Sequence, residues 1–126
     1  MDYSVVDPDE LEPIEDRDCD LRLVSKSAGL ENVAINRFRA EPGEQLPLAY
    51  HYHEQQEEAF IVQSGTLHVE TPDGEYEVPA GSVFSVRPEA PQRAYNPADA
   101  ETAVEVFAIG APAVRGDAVK YEPDDE

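Results

Sequence analysis

Three side chains close together in the sequence have the chemistry to hold a metal: His51 and His53, one residue apart, and Glu58. They lie in the stretch Tyr50 to Gly65, YHYHEQQEEAFIVQSG. On a β-strand residues i and i+2 project from the same face, so both imidazoles are expected to point at one place. Two imidazoles and a carboxylate suit a first-row transition metal and leave coordination positions open. Glu58 is an odd number of residues from His53, so one continuous strand would put it on the opposite face. Glu54 to Glu57 must therefore turn or bulge the chain and return Glu58 toward the imidazoles from a neighbouring strand.

The elements that must position these residues are short and β-like. Alternating or apolar runs predict strands over Asp20–Ser25, Asn32–Ala40, Gln45–His53, Ala59–Val62, Thr66–Thr71, Glu75–Val78, Val83–Arg87, Gln92–Tyr95 and Glu101–Ile109. Turn signals separate them: Pro42-Gly43, Asp73-Gly74, Pro79-Ala80-Gly81 and Asn96-Pro97, with a loop through Gly29 after the first strand. No stretch reads as an amphipathic helix. Many short strands punctuated by glycine and proline predict an all-β barrel or sandwich. Residues 1–19 read as an acidic N-terminal extension, 20–112 as the barrel, and 113–126 as a tail ending in acid.

The spacing HxH, four residues, Glu, six residues, Gly resembles the first signature of the cupin family, with Gly43 ahead of it. The second cupin signature is similar to GSVFSVRPEAPQRAYN, where Gly81, Pro88, Pro91 and Asn96 match. The resemblance covers about residues 30 to 110. It implies a double-stranded β-helix, the cupin or jelly-roll barrel, with a divalent transition metal (Fe, Mn, Ni or Zn) at its centre. It implies His51, His53 and Glu58 as ligands and makes Glu57 a solvated neighbour. One position departs: the family's usual fourth ligand, a histidine, falls on Gln92. A neutral amide oxygen is less basic than imidazole, so the metal is held more weakly or has given way to a directly bound organic ligand. The resemblance also implies a homodimer.

Charge restricts the partners. The chain has 126 residues, one domain's worth, with 28 acidic and 9 basic residues and a net charge of −19. Such a field repels nucleic acid and anionic membrane surfaces. Only two lysines occur, Lys26 and Lys120. A carboxylate-rich, lysine-poor surface stays hydrated in concentrated salt and repels itself when salt is removed, which predicts a halophilic, archaeal source. A single cysteine, Cys19, cannot form an intramolecular disulfide, and the first ten residues, MDYSVVDPDE, have no signal-peptide pattern. The expectation is a cytoplasmic protein.

A pocket for an anionic metabolite needs local positive charge. Arg37, Arg39, Arg87 and Arg93 read as structural partners of the surplus carboxylates, and if one of them enters the pocket Arg37 is the candidate, with Phe60 and Tyr95 as further candidate substrate contacts; His68 reads as a surface or packing residue. Two function classes follow. One is a metal-dependent enzyme acting on a small polar metabolite, with oxygenase, isomerase or lyase chemistry implied by resemblance. The other is a metal-free module that binds a small ligand without turnover.

Overall fold

A computed structural model describes residues 2–123 and shows a barrel of antiparallel strands with almost no helix. The acidic end Asp124, Asp125 and Glu126 lies outside the described residues. The strands are β1 (Asp20–Leu23), β2 (Ala34–Ala40), β3 (His51–His53), β4 (Glu57–Ser64), β5 (Thr66–Thr71), β6 (Gly74–Pro79), β7 (Val83–Val86), β8 (Arg93–Tyr95), β9 (Val104–Ala111) and β10 (Ala118–Lys120). They form a five-stranded sheet ordered β1-β2-β9-β4-β7, a three-stranded sheet β6-β5-β8, and a pair β10-β3. Bridges at Gln45–Tyr95 and His51–Gln92 join the approach to β3 onto β8, so the last two groups line one wall opposite the five-stranded sheet. This is the double-stranded β-helix, or jelly roll.

The core follows from alternation. Val104, Val106 and Ala108 of β9, Phe60 and Val62 of β4, Leu67 and Val69 of β5 and Ala94 of β8 all turn inward, and all are buried. The intervening residues face outward, as the two-residue period requires. Gly65, in the turn between β4 and β5, lies at φ +74°, where a Cβ would sit 2.5 Å from the carbonyl oxygen of Ala103. Only glycine fits so close to another backbone in that conformation.

Four departures from the sequence reading have physical causes. First, Val24–Ala28 forms a single helical turn, α1, closed by Gly29 in the left-handed conformation. Five residues are too few to show a helical period, although the glycine stop is typical. Second, Gln45–His53 is not one strand. Between the two bridges, six steps along this segment oppose three along Gln92–Tyr95, so Pro47–Tyr50 loops out. Pro47 has no N–H to offer a ladder. Third, the segment beyond residue 112 is not only a tail: β10 pairs with β3, setting Ala118 against His53 and Lys120 against His51.

The fourth concerns the N-terminal extension, which is stitched onto the barrel by arginines. Arg22 donates to the carbonyls of Pro8, Asp9 and Leu11 while paired with Asp20. Farther along, Gln45 N–H donates to Asp18 (2.7 Å) and Arg17 Nη2 donates to the carbonyl of Leu46 (2.7 Å). Cys19 is buried between them, and burial pushes its thiol up to about 11, which leaves it an unreactive packing group.

Candidate metal centre

The two imidazoles of β3 are 5.0 Å apart, centre to centre, and meet edge to face. His51 Nδ1 lies 3.0 Å from the carbonyl oxygen of Ala49, within the looped-out segment. A carbonyl can only accept, so Nδ1 carries the proton and the Nε2 lone pair is free. Burial holds the His51 imidazole below the usual histidine range; the bond to Ala49 opposes this, and the charges of His53 and Arg17 add to it. His51 is therefore neutral, the form that can ligate.

The chain does turn after His53, and the agent is a residue from the far end of the sequence. Asp117, just before β10, accepts backbone N–H bonds from Glu54 (3.1 Å), Gln55 (3.0 Å) and Gln56 (2.9 Å). Burial alone would raise the Asp117 carboxyl, but the N–H groups of Gln56, Gln55 and Glu54 and the nearby His53 outweigh it and hold it below the usual carboxylate range. Its Oδ2 is also 3.6 Å from His53 Nδ1, on the side of the ring away from Glu58. Gln56 closes the turn from the other side. Its Nε2 donates to the carbonyl of Pro112 (3.1 Å), and its amide lies over Gly110, where a Cβ would be 2.5 Å away.

The turn delivers Glu58 to the imidazoles. Its Oε1 lies 3.5 Å from His53 Nε2, and ligand atoms of His51, His53 and Glu58 all fall within 4.8 Å of one another. Glu57 is exposed and Glu58 is not. Gln92 bridges His51 across the strands, so the two side chains share a face. Gln92 is only 2% exposed, and its Oε1, like Glu58 Oε1, is buried with no hydrogen-bond donor. Burial pushes the Glu58 carboxyl above its ordinary range, against the pull of His53. Acceptor lone pairs shut away from water and without donors are expensive in a native fold. A cation is the partner that both oxygens and both imidazole lone pairs accept, so the residues present fit a metal.

The cluster opens onto a cavity of about 410 Å³. Phe60 lines it, together with Asn36 and Phe38 of β2, Leu46, and Pro47, Leu48 and Ala49 of the looped-out segment. Arg37 does not. It is on the opposite face of β2, buried beneath the N-terminal extension and paired with Asp9 (3.0 Å) and Glu105 (3.5 Å). The alternation of Asn32–Ala40 already separated Arg37 and Arg39 from the face bearing Asn36 and Phe38, and the more apolar face is the one that turns inward. Tyr95 is also outside. Its hydroxyl is bonded to Glu75, which pushes the phenol up to about 12, and its ring packs with His68 and beneath Arg93 on the outer face of β8 and β5. The cations that do reach the cavity are Arg17 and Lys120, one from each presumed appendage. No local sequence signal marked either one, nor Asp117.

Residues 36–109, more than half of the chain, match the cupin domain, and the protein belongs to that family. Solved structures share the fold at low identity. A candidate sugar phosphate isomerase from Acidithiobacillus ferrooxidans is 23% identical over 74% of this chain, with a TM-score of 0.67; this chain spans 58% of its length. The polyketide cyclase RemF from Streptomyces resistomycificus is 16% identical with a TM-score of 0.77, covering 98% of this chain and 88% of its own. The Streptomyces protein PAC13, solved with uridine, is 16% identical with a TM-score of 0.73 over 95% and 92% of the two chains. No curated protein matches the sequence.

Replacing Asp117 with Asn tests the turn. A carboxyl held below its ordinary range contributes stability above the unfolded value, near 3.8, and loses it as pH falls through the folded value. Asp117→Asn is expected to melt several degrees below wild type at pH 7. That gap should close as pH drops below about 4. Thermal melts of both proteins across pH 3 to 7 check this; a gap independent of pH would show that the charge of Asp117 is not what holds the turn.

Proposed function

We propose that this cupin binds one divalent transition metal through His51, His53, Glu58 and Gln92 and works on a small polar metabolite in the adjoining cavity. The observation that carries this reading is the pair of buried, donorless oxygens, Glu58 Oε1 and Gln92 Oε1, beside two imidazoles. Iron, manganese, nickel and zinc all accept this donor set. A bound metal would supply Lewis acidity or an oxygen-binding centre, the chemistry shared by oxygenase, isomerase and lyase reactions.

The chain's own residues prepare that site. The Ala49 carbonyl fixes the tautomer of His51, and Asp117 lies against the rear nitrogen of His53. Phe38 and Phe60 give the cavity apolar walls that limit water, while Asn36 adds a polar group on the wall of β2. A cavity of this size suits a metabolite rather than a polymer. The neighbours described as a sugar phosphate isomerase, a polyketide cyclase and a uridine-bound protein favour a small-molecule ligand.

The neutral amide of Gln92 favours a second reading, a metal-free cavity that binds an organic ligand directly. Elemental analysis of untagged protein purified in high salt without chelator separates the two. Near-stoichiometric transition metal is expected in the native protein and its loss in His51→Ala, with both proteins folded by circular dichroism. If neither holds metal after incubation with iron, manganese, nickel and zinc, the metal-free reading replaces the first.

The same proposal places the protein in the cytoplasm of a halophilic archaeon as a homodimer. The net charge of −19 supports the salt requirement, and family resemblance supports the dimer. Sedimentation in 0.1 M and 3 M KCl, concentrations spanning strong and near-complete screening at about 10 Å and below 3 Å, is expected to show a folded dimer at high salt and unfolding at low salt. A monomer at both would contradict the dimer, and equal stability at both would contradict the halophilic source.

A further inference from the structure

In a chain with 28 acidic residues, the cavity is lined, among the described residues, by one carboxylate, Glu58, and by two cations. Lys120 is exposed at the mouth and pairs with Glu122 (3.9 Å). Arg17 is different. Among the described residues it forms no ion pair, whereas Arg22, Arg37, Arg39 and Arg93 all do; unlike the equally unpaired Arg87 and Arg115, it is not exposed on the surface but lines the cavity. Its sequence neighbour Asp18 is bonded to the backbone N–H of Gln45 instead.

The guanidinium is held in place without being neutralised. Nη2 donates to the Leu46 carbonyl, and the guanidinium carbon lies 5.9 Å from the centre of the Phe38 ring. Nε–H is shut off from solvent and has no acceptor. An unpaired buried donor on a charged group is more costly than a neutral one, and carboxylates to satisfy it are abundant in this chain. The guanidinium as a whole lines the cavity with its charge unpaired among the described residues, so an anion entering there meets a fork that no carboxylate has taken. Its charge already reaches His51, so the fork and the metal cluster belong to one cavity.

We propose that Arg17 receives an anionic group, a carboxylate or a phosphate, on the molecule the cavity takes, so that the ligands of this protein are small organic anions. The inference deepens the functional reading above and rests on it for the site. The N-terminal extension thereby becomes part of the binding site, and Arg17 takes the role that sequence assigned to Arg37. A ligand gripped by Arg17 lies with one face on Phe38 and its other end directed to the His51, His53, Glu58 and Gln92 cluster.

The Arg17 Nε–H signal in ¹⁵N-labelled full-length protein, assigned by its absence from Arg17→Gln, reads the contact directly. The probes are malonate, inorganic phosphate and neutral glycerol, added to chelator-treated and to zinc-loaded protein. Malonate, phosphate or both are expected to move the Nε–H signal, and glycerol is not; which anion binds tighter identifies carboxylate or phosphate as the preferred group. Arg17→Gln should weaken anion binding about tenfold or more, and Arg17→Lys, which keeps the charge but not the fork, should fall between. If neither anion moves the signal in either state, or if Arg17→Gln binds them as tightly as wild type, the inference fails. Metal content of the same samples separates the two proposals. Arg17-dependent anion binding in a protein that takes up no metal sustains the inference and removes the metal centre, whereas metal uptake with Arg17-independent anion binding does the reverse.

Discussion

The carboxylate of Asp117 bonds three successive backbone N–H groups, those of Glu54, Gln55 and Gln56, and the candidate site depends on that cap. Two ligands on β3 and one on β4 cannot face each other unless the chain reverses between them in very few residues. Such a reversal strips several N–H groups of ladder partners at the end of the barrel, and that of Gln56 is buried away from water. One carboxylate from the C-terminal segment satisfies them together and at the same time lies behind His53. The pairing of β10 with β3 is what carries Asp117 to that place.

Charge is sorted by the same architecture. On the outer faces Arg22, Arg37, Arg39 and Arg93 are matched with carboxylates, and Arg22 and Arg37 hold the N-terminal extension against the barrel. Inside, the balance reverses: among the described residues Glu58 is the one carboxylate lining the cavity, and Arg17 lines it without an ion pair. Each buried orphan group costs about 1–3 kcal/mol relative to a satisfied one. Glu58 Oε1, Gln92 Oε1 and Arg17 Nε–H are thus three places where a bound partner recovers stability. Acceptors and donor lie in one cavity, which is the pattern expected of a site for a cation and an anion together.

Much of this was legible in the sequence. The two-residue period located most strands, and the odd separation of His53 and Glu58 demanded the turn that is observed. The resemblance carried by Gly65, Gly81, Pro88, Pro91 and Asn96 gave the jelly roll. Asn96 shows why such a residue is informative: its buried amide donates to the carbonyls of Ala40 (3.0 Å) and Thr102 (2.9 Å), tying its own loop to the end of β2 and to the approach to β9. What escaped was set by tertiary contacts. Asp117, Arg17 and Lys120 sit in segments whose acidic, proline-broken composition resembles that of solvated tails, and nothing local distinguishes a carboxylate that caps a turn 61 residues away. The looped-out Pro47–Tyr50 escaped because its apolar run reads as strand, although it forms a rim of the cavity.

The most direct test is a crystal structure of the metal-incubated protein with diffraction data collected at the absorption edge of the metal that elemental analysis finds. The expected result is one anomalous peak bonded to His51, His53, Glu58 and the Gln92 amide oxygen, with Asp117 still capping residues 54–56. A peak elsewhere, or ordered density for an organic molecule bonded directly to those four side chains with no metal between them, would contradict the metal centre.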